Sequence, residues 1–273
     1  MKRKLFCEIS PLCYNISVYK CQIIRCIVNF FLLGKLAKTF SKEELPVVIY
    51  KHKSLIRRQL GDVDMTLQEN KATNLAIAAP KINGIVIKPG EIFSLWYLVG
   101  KTSARKGYKP GLMIKKGKPD CGIGGGLCQL SNLIHWLILH TPLKIIEHHH
   151  HDNVDLFPDF GRQVPFGVGT SISYNYLDYQ FENTTNQTFQ LMIYTDEKYL
   201  NAKLLSNKEL EFNYHIECHN EYFRKESDGY YRCGEIWQNL IDKKTGNLIQ
   251  SNLLKNNHAK IMYDEKFVLD KVR

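Results

Sequence analysis

The chain has 273 residues, of which 44% are apolar, 23% charged and 11% aromatic, and its 37 Lys+Arg outnumber 27 Asp+Glu to give a formal net charge of +10. This composition excludes a disordered chain, a collagen and a coiled coil, and no apolar run approaches the roughly 20 residues of a membrane span. The basic excess is scattered and accompanied by no zinc finger, basic zipper or RNA-recognition strand, so a solvated basic surface and no nucleic-acid partner are expected.

In chain order, the first feature is a helical pattern over 17–40. Val18, Ile24, Ile27, Val28, Phe31 and Leu32 recur near the 3.6 period, and Gly34 closes that face. With its flanking Lys and Arg residues the segment either packs on the main domain or makes a peripheral membrane contact. Ahead of it, Leu5-Phe6-Cys7-Glu8 does not form the apolar core of a secretory signal, so a cytoplasmic or peripheral-membrane location is expected. Eight cysteines, none in a C-x-x-C pair, are then expected as free thiols. The run 46–58 reads as a basic connector and Gly61-Asp62 as a break. A second helix is expected over 66–83, kinked or ended by Pro80. A strand at 85–87, a turn at 88–90 and a strand at 91–99 follow. Glycine-bearing loops lead to a cluster at 122–126, then a buried helix over 128–140 and a strand over 143–151. Strands are expected at 171–176, 179–181 and 188–194, and two hairpins turning at 227–229 and 245–247. The pattern is an α+β fold of mixed helix and antiparallel sheet with a hairpin-rich C-terminal region. It divides into a helical, basic segment 1–61, a core domain 62–200 and a β-rich extension 201–273.

The stretch with the most chemistry is Gly124-Gly125-Gly126-Leu127-Cys128-Gln129-Leu130-Ser131. Three glycines allow positive φ and close approach of a ligand to the main chain. Cys128 then falls at a helix N-terminus, where the macrodipole favours a thiolate and unpaired N–H groups can hold an oxyanion. Gly124, Gly125, Gly126, Gln129 and Ser131 are the candidate substrate-binding residues. The helix rises about 18 Å at ~1.5 Å per residue, and the following strand returns about 20 Å at ~3.3 Å per residue. The chain therefore comes back near Cys128 at His148-His149-His150-His151. Strand alternation puts Ile145, Glu147, His149 and His151 on one face, offering His149 or His151 as a base for the Cys128 thiol. Three readings stay open on pattern alone: nucleophilic catalysis needing no metal or cofactor, a zinc site of Cys128, His149 and His151, and a structural turn.

At these residues the sequence resembles the VanW family. The matching features run from about 64 to 264. They include Gln68-Glu69-Asn70-Lys71, Pro89-Gly90-Glu91-x-Phe93-Ser94, the Gly124–Leu133 stretch, His140-Thr141-Pro142-Leu143, Glu147-x-His149-x-His151 and Leu177-Asp178. The resemblance implies a link to peptidoglycan and glycopeptide resistance. Some wall-associated members are implicated as cysteine-dependent L,D-transpeptidases, which make 3-3 crosslinks. Carried over, Cys128 is the nucleophile, His149 or His151 the base, and a peptidoglycan stem peptide or precursor the partner. The alternative is a non-catalytic accessory module holding the same peptide or a resistance-cluster partner. One departure stands out: Gly169 occupies a position where many members have Asp, and Asp178 or Glu147 is the candidate replacement carboxylate.

Overall fold

The computed structural model describes residues 4–58, 64–115, 118–150, 154–159, 161–269 and 272. Ser10 caps the first helix by accepting the Cys13 N–H at 3.1 Å, and Pro11 occupies its first turn, so helix α1 runs Pro11–Leu32. It thus starts and ends earlier than the expected 17–40, and Thr39–Phe40 already forms strand β1. None of the α1 residues is buried.

The expected connector at 46–58 is instead strand β2, Val47–Leu55. It lies at a sheet edge, where Lys51 and Lys53 remain exposed, so its composition reads as a basic linker. Helix α2, Met65–Ala78, is capped by Asp64, which accepts the Thr66 N–H at 2.8 Å. Pro80 falls in a single 3-10 turn directly after it, as the helix-breaking role of proline requires. The buried face of α2 consists of Gln68, Lys71, Asn74, Leu75 and Ala78, three of them polar. Gly84, at φ +85, turns the chain into β3, Ile85–Ile87.

The expected strand 91–99 is only half extended. Ile92–Ser94 is β4, but Leu95–Val99 is a short helix, α3. Ser94 Oγ accepts the Tyr97 N–H and Asp178 Oδ1 accepts the Trp96 N–H at 3.0 Å, so a residue remote in sequence satisfies that first turn. The expected loop region carries a hairpin, β5 (Pro110–Lys115) and β6 (Lys118–Ile123). Helix α4, Cys128–Ile138, begins where expected. Strand β7, Lys144–Glu147, stops four residues short of the expected 143–151 and carries a bulge between Ile145 and Glu147. The short β8, Val154–Asp155, follows. Residues 171–176 form a turn rather than a strand, with Asn175 at φ +52. The remaining strands are β9 (Gln180–Glu182), β10 (Phe189–Thr195), β11 (Tyr199–Ser206), β12 (Phe212–Glu226), β13 (Gly229–Asp242) and β14 (Leu248–Ile261).

These strands build an antiparallel sheet β1-β3-β10-β11-β2, a second sheet β4-β9-β7, and a meander β12-β13-β14 joined by β8. The fold is α+β with a β-hairpin-rich C-terminal region. Because β2 and β11 share one sheet with β3 and β10, divisions at 61 and 200 cut across it. The core packs Leu130, Leu133, Ile134 and Leu137 of α4 with Ile85, Ile87, Leu191 and Phe181. The meander is tied to β8 by the buried Arg232, whose guanidinium meets Asp155, Asp159 and Glu221. Gln238 adds a bond to the Leu139 carbonyl at the C-terminal end of α4.

Candidate functional site

The glycine turn is shaped by what crowds it. A Cβ on Gly125 would lie 2.0 Å from the Gly111 carbonyl oxygen, and one on Gly126 would lie 2.3 Å from Lys71 Cγ. Gly124 and Gly126 take φ of +80 and +90. Only glycine permits this threading of the chain between β5 and α2. Asn74 anchors the turn, donating to the Gly125 carbonyl at 2.8 Å and bonding both backbone groups of Lys109. The Gly124 N–H goes to the Lys109 carbonyl and the Gly125 N–H to that of Gly122. These two glycines therefore stand behind the site, while Gly126 lines a cleft of about 580 Å³. Gln68, Lys71, Cys128, Gln129 and His150 line the same cleft.

Cys128 is the first residue of α4 and is partly accessible. Burial of the sulfur pushes its pKa up, against the Ile172 and Cys128 N–H groups, which favour the thiolate. The resting group is therefore a thiol. Gln129 Nε2 donates to Ser54 Oγ at 2.8 Å and to the Leu55 carbonyl, while its Oε1 is buried without a partner. Ser131 is buried and bonded to Thr170 Oγ1 and the Cys128 carbonyl, so it supports the helix start and does not line the cleft.

The histidines divide differently from the expectation. His149 and Glu147 do share a side, with Nε2 and Oε1 3.0 Å apart. That side faces α1, because Glu147 also pairs with Arg25 and accepts the Asp178 N–H. Burial raises the Glu147 pKa, but these three bonds outweigh it and leave the group lowered. His149 does not line the cleft. The β7 bulge inserts an extra residue and the strand ends at Glu147, so alternation counted from Ile145 does not carry on to the histidine run. His151 lies outside the described residues. The cleft instead receives His150, whose ring centroid is 4.0 Å from that of His148. His148 lies 4.0 Å from His135 in turn, and His135 Nδ1 meets the Tyr179 hydroxyl at 3.1 Å. Burial, then the charges of His148 and His150, hold the His135 pKa well below the imidazole range.

Asp178 does not serve as the replacement carboxylate. It is buried, and its oxygens accept from Ser94 Oγ, Gln180 Nε2 and the N–H groups of Trp96 and Tyr179. Burial still leaves its pKa raised. It organises α3 rather than an imidazole. At Gly169, where the resemblance leads one to look for a carboxylate, the backbone carbonyl lies 3.1 Å from His148 Nε2. A carbonyl can only accept, so that nitrogen carries the proton.

Lys71 was not among the sequence candidates. It is 7% exposed, and burial, then the charges of Arg58 and Arg57, lower its pKa to about 8. The available signal was a lysine on the inward face of α2. Among the described residues no group of three His, Cys, Asp or Glu side chains is placed to hold a metal ion.

A family model described as "VanW like protein" matches residues 70–205. The Vancomycin B-type resistance protein VanW of Enterococcus faecalis (strain ATCC 700802 / V583) is 34% identical over 227 residues, 83% of this chain and 82% of that protein. The chain belongs to the VanW family. The uncharacterized protein YoaR of Bacillus subtilis (strain 168) is 30% identical over 122 residues, 44% of this chain and 37% of that protein. No solved structure matches. The VanW match begins within α2, takes in the glycine turn, Cys128 and the histidine run, and ends within β11.

Proposed function

We propose that this VanW-family protein acts on peptidoglycan stem peptides or their precursors in resistance to glycopeptides, with Cys128 as the nucleophile of an acyl transfer of the L,D-transpeptidase kind. The observation that carries this reading is the placement of Cys128 at the start of α4, directly after a glycine turn, in the wall of a cleft of about 580 Å³, a size that suits a peptide segment. The 34% identity to a protein named for B-type vancomycin resistance supports the biological setting. In the proposed step Cys128 Sγ attacks the carbonyl carbon of the stem, and the thiol proton passes to His150. The oxyanion rests against the N–H of Gly126, the glycine of the turn that lines the cleft. The C–N bond then breaks, the departing amine takes the proton from the imidazole, and a thioester remains. An acceptor amine attacks the thioester, a new C–N bond forms as the C–S bond breaks, and the proton lost by the amine returns to the Cys128 sulfur. A thiol that is neutral at rest suits proton removal coupled to attack.

A second reading, a non-catalytic binding module, is favoured by the raised Cys128 pKa and by the turning of His149 towards α1. Incubation of the full chain with a tetrapeptide stem and an amine acceptor, followed by chromatography of the products, separates the two. Transfer predicts a crosslinked product that disappears in Cys128→Ala. Binding without turnover predicts no product from either protein.

The exposed apolar residues of α1, among them Leu12, Ile23, Phe30 and Phe31, support peripheral membrane contact by this helix. No described helix is long and apolar enough to cross a membrane.

A further inference from the structure

Of the three polar side chains on the inward face of α2, Asn74 is accounted for by Lys109 and Gly125, whereas Gln68 and Lys71 are not. Lys71 Nζ donates to Gln68 Oε1 at 2.7 Å, and among the described residues it meets no carboxylate. The charges of Arg58 and Arg57 act on it unfavourably. Gln68 is 1% exposed, and its Nε2 is buried with no partner. Both residues line the cleft that holds Cys128, as does Arg58. The Lys71 stem crosses Gly126, which fixes it beside the turn that delivers the cysteine. A buried cation without a counter-charge and a buried amide donor without an acceptor are each costly, and one anionic group with two oxygens answers both.

We propose that Lys71 and Gln68 Nε2, with Arg58 alongside, form a subsite for the terminal carboxylate of an acyl peptide, namely that of the residue which leaves when Cys128 attacks. One carboxylate oxygen takes the ammonium and the other the amide N–H. Gln129 Oε1, buried without a partner in the same cleft, supplies an acceptor for a ligand backbone N–H. The subsite selects peptides that end at the leaving residue over internal peptide bonds. This inference rests on the reading of the cleft as an acyl-peptide site. Binding precedes transfer, however, so the two can fail separately. A phosphate on a precursor offers the same anionic oxygens, and the test separates the two sources.

The test is calorimetric titration of the full chain carrying Cys128→Ala with an N-acetylated tetrapeptide stem, its C-terminal carboxamide, and inorganic phosphate. The free acid is expected to bind about tenfold more tightly than the carboxamide, the scale of one charge-assisted hydrogen bond. Adding Lys71→Met should bring the two within about twofold by weakening the acid alone. Lys71→Gln serves as a second variant should the methionine disturb the fold. Equal binding of acid and carboxamide, or binding of neither, overturns the subsite, and phosphate binding more tightly than the peptide acid overturns the carboxylate assignment. With wild-type Cys128, absence of a thioester alongside an intact acid preference removes the transfer reading alone. Thioester formation at equal rates from acid and carboxamide removes the subsite alone.

Discussion

Lys71 places an ammonium where its helix would otherwise pack hydrocarbon, and this has a consequence for stability. In the unfolded chain the group titrates near 10.5, whereas in the folded protein it does so at about 8. Between those values the unfolded chain holds a proton that the folded protein has released, so the Lys71 contribution to stability rises as pH increases through that window. Lys71→Met removes the buried charge. It is expected to raise stability at pH 7 by about 2 kcal/mol, with the gain shrinking towards pH 10. Urea unfolding at the two pH values checks this, and a loss of stability at pH 7 would contradict it. The chemistry of Cys128 was readable from its neighbours, because a glycine turn and a helix start are local. The burial of Lys71 was not, since it depends on Gly126 lying across its stem some fifty residues later in the chain.

At the level of elements, the glycine turn and α4 behave as one unit, with Gly125 held against the Gly111 backbone. Gly125→Ala has no room to relax, because its neighbour is main chain rather than a flexible side chain. It is expected to cost about 3 kcal/mol, read as a lowered urea midpoint. Gly169→Ala, with nothing within 4 Å of the new Cβ, should change stability by no more than about 0.5 kcal/mol. Similar costs for the two would contradict the close-packing account. Elements specified by local periodicity, such as α2, β3, α4 and the C-terminal hairpins, were legible in the sequence. Those specified by tertiary partners were not. The first turn of α3 is satisfied by Asp178, β2 hides its pairing behind edge lysines, and a bulge in β7 hands the cleft to His150 in place of His149.

Across the whole molecule, a basic body carries one helix whose apolar side chains face solvent, Phe31 at 79% exposure among them. Charge and exposed hydrocarbon together favour an anionic lipid surface. Ile23→Glu with Phe31→Glu should abolish co-sedimentation with phosphatidylglycerol vesicles while leaving the fold intact, because neither side chain is buried. Unchanged sedimentation would remove α1 as the contact. The cleft lies elsewhere, between β2, α2, the start of α4, residues 161–170 and β14, so lipid contact and peptide chemistry can be separated by mutation. The most direct test of the account is intact-protein mass spectrometry after brief exposure to a tetrapeptide stem. The wild-type chain should gain the mass of the acyl fragment, mapped to Cys128, and Cys128→Ala should gain none. An unmodified wild-type mass, or an adduct that persists in Cys128→Ala, would contradict the nucleophile on which the account rests.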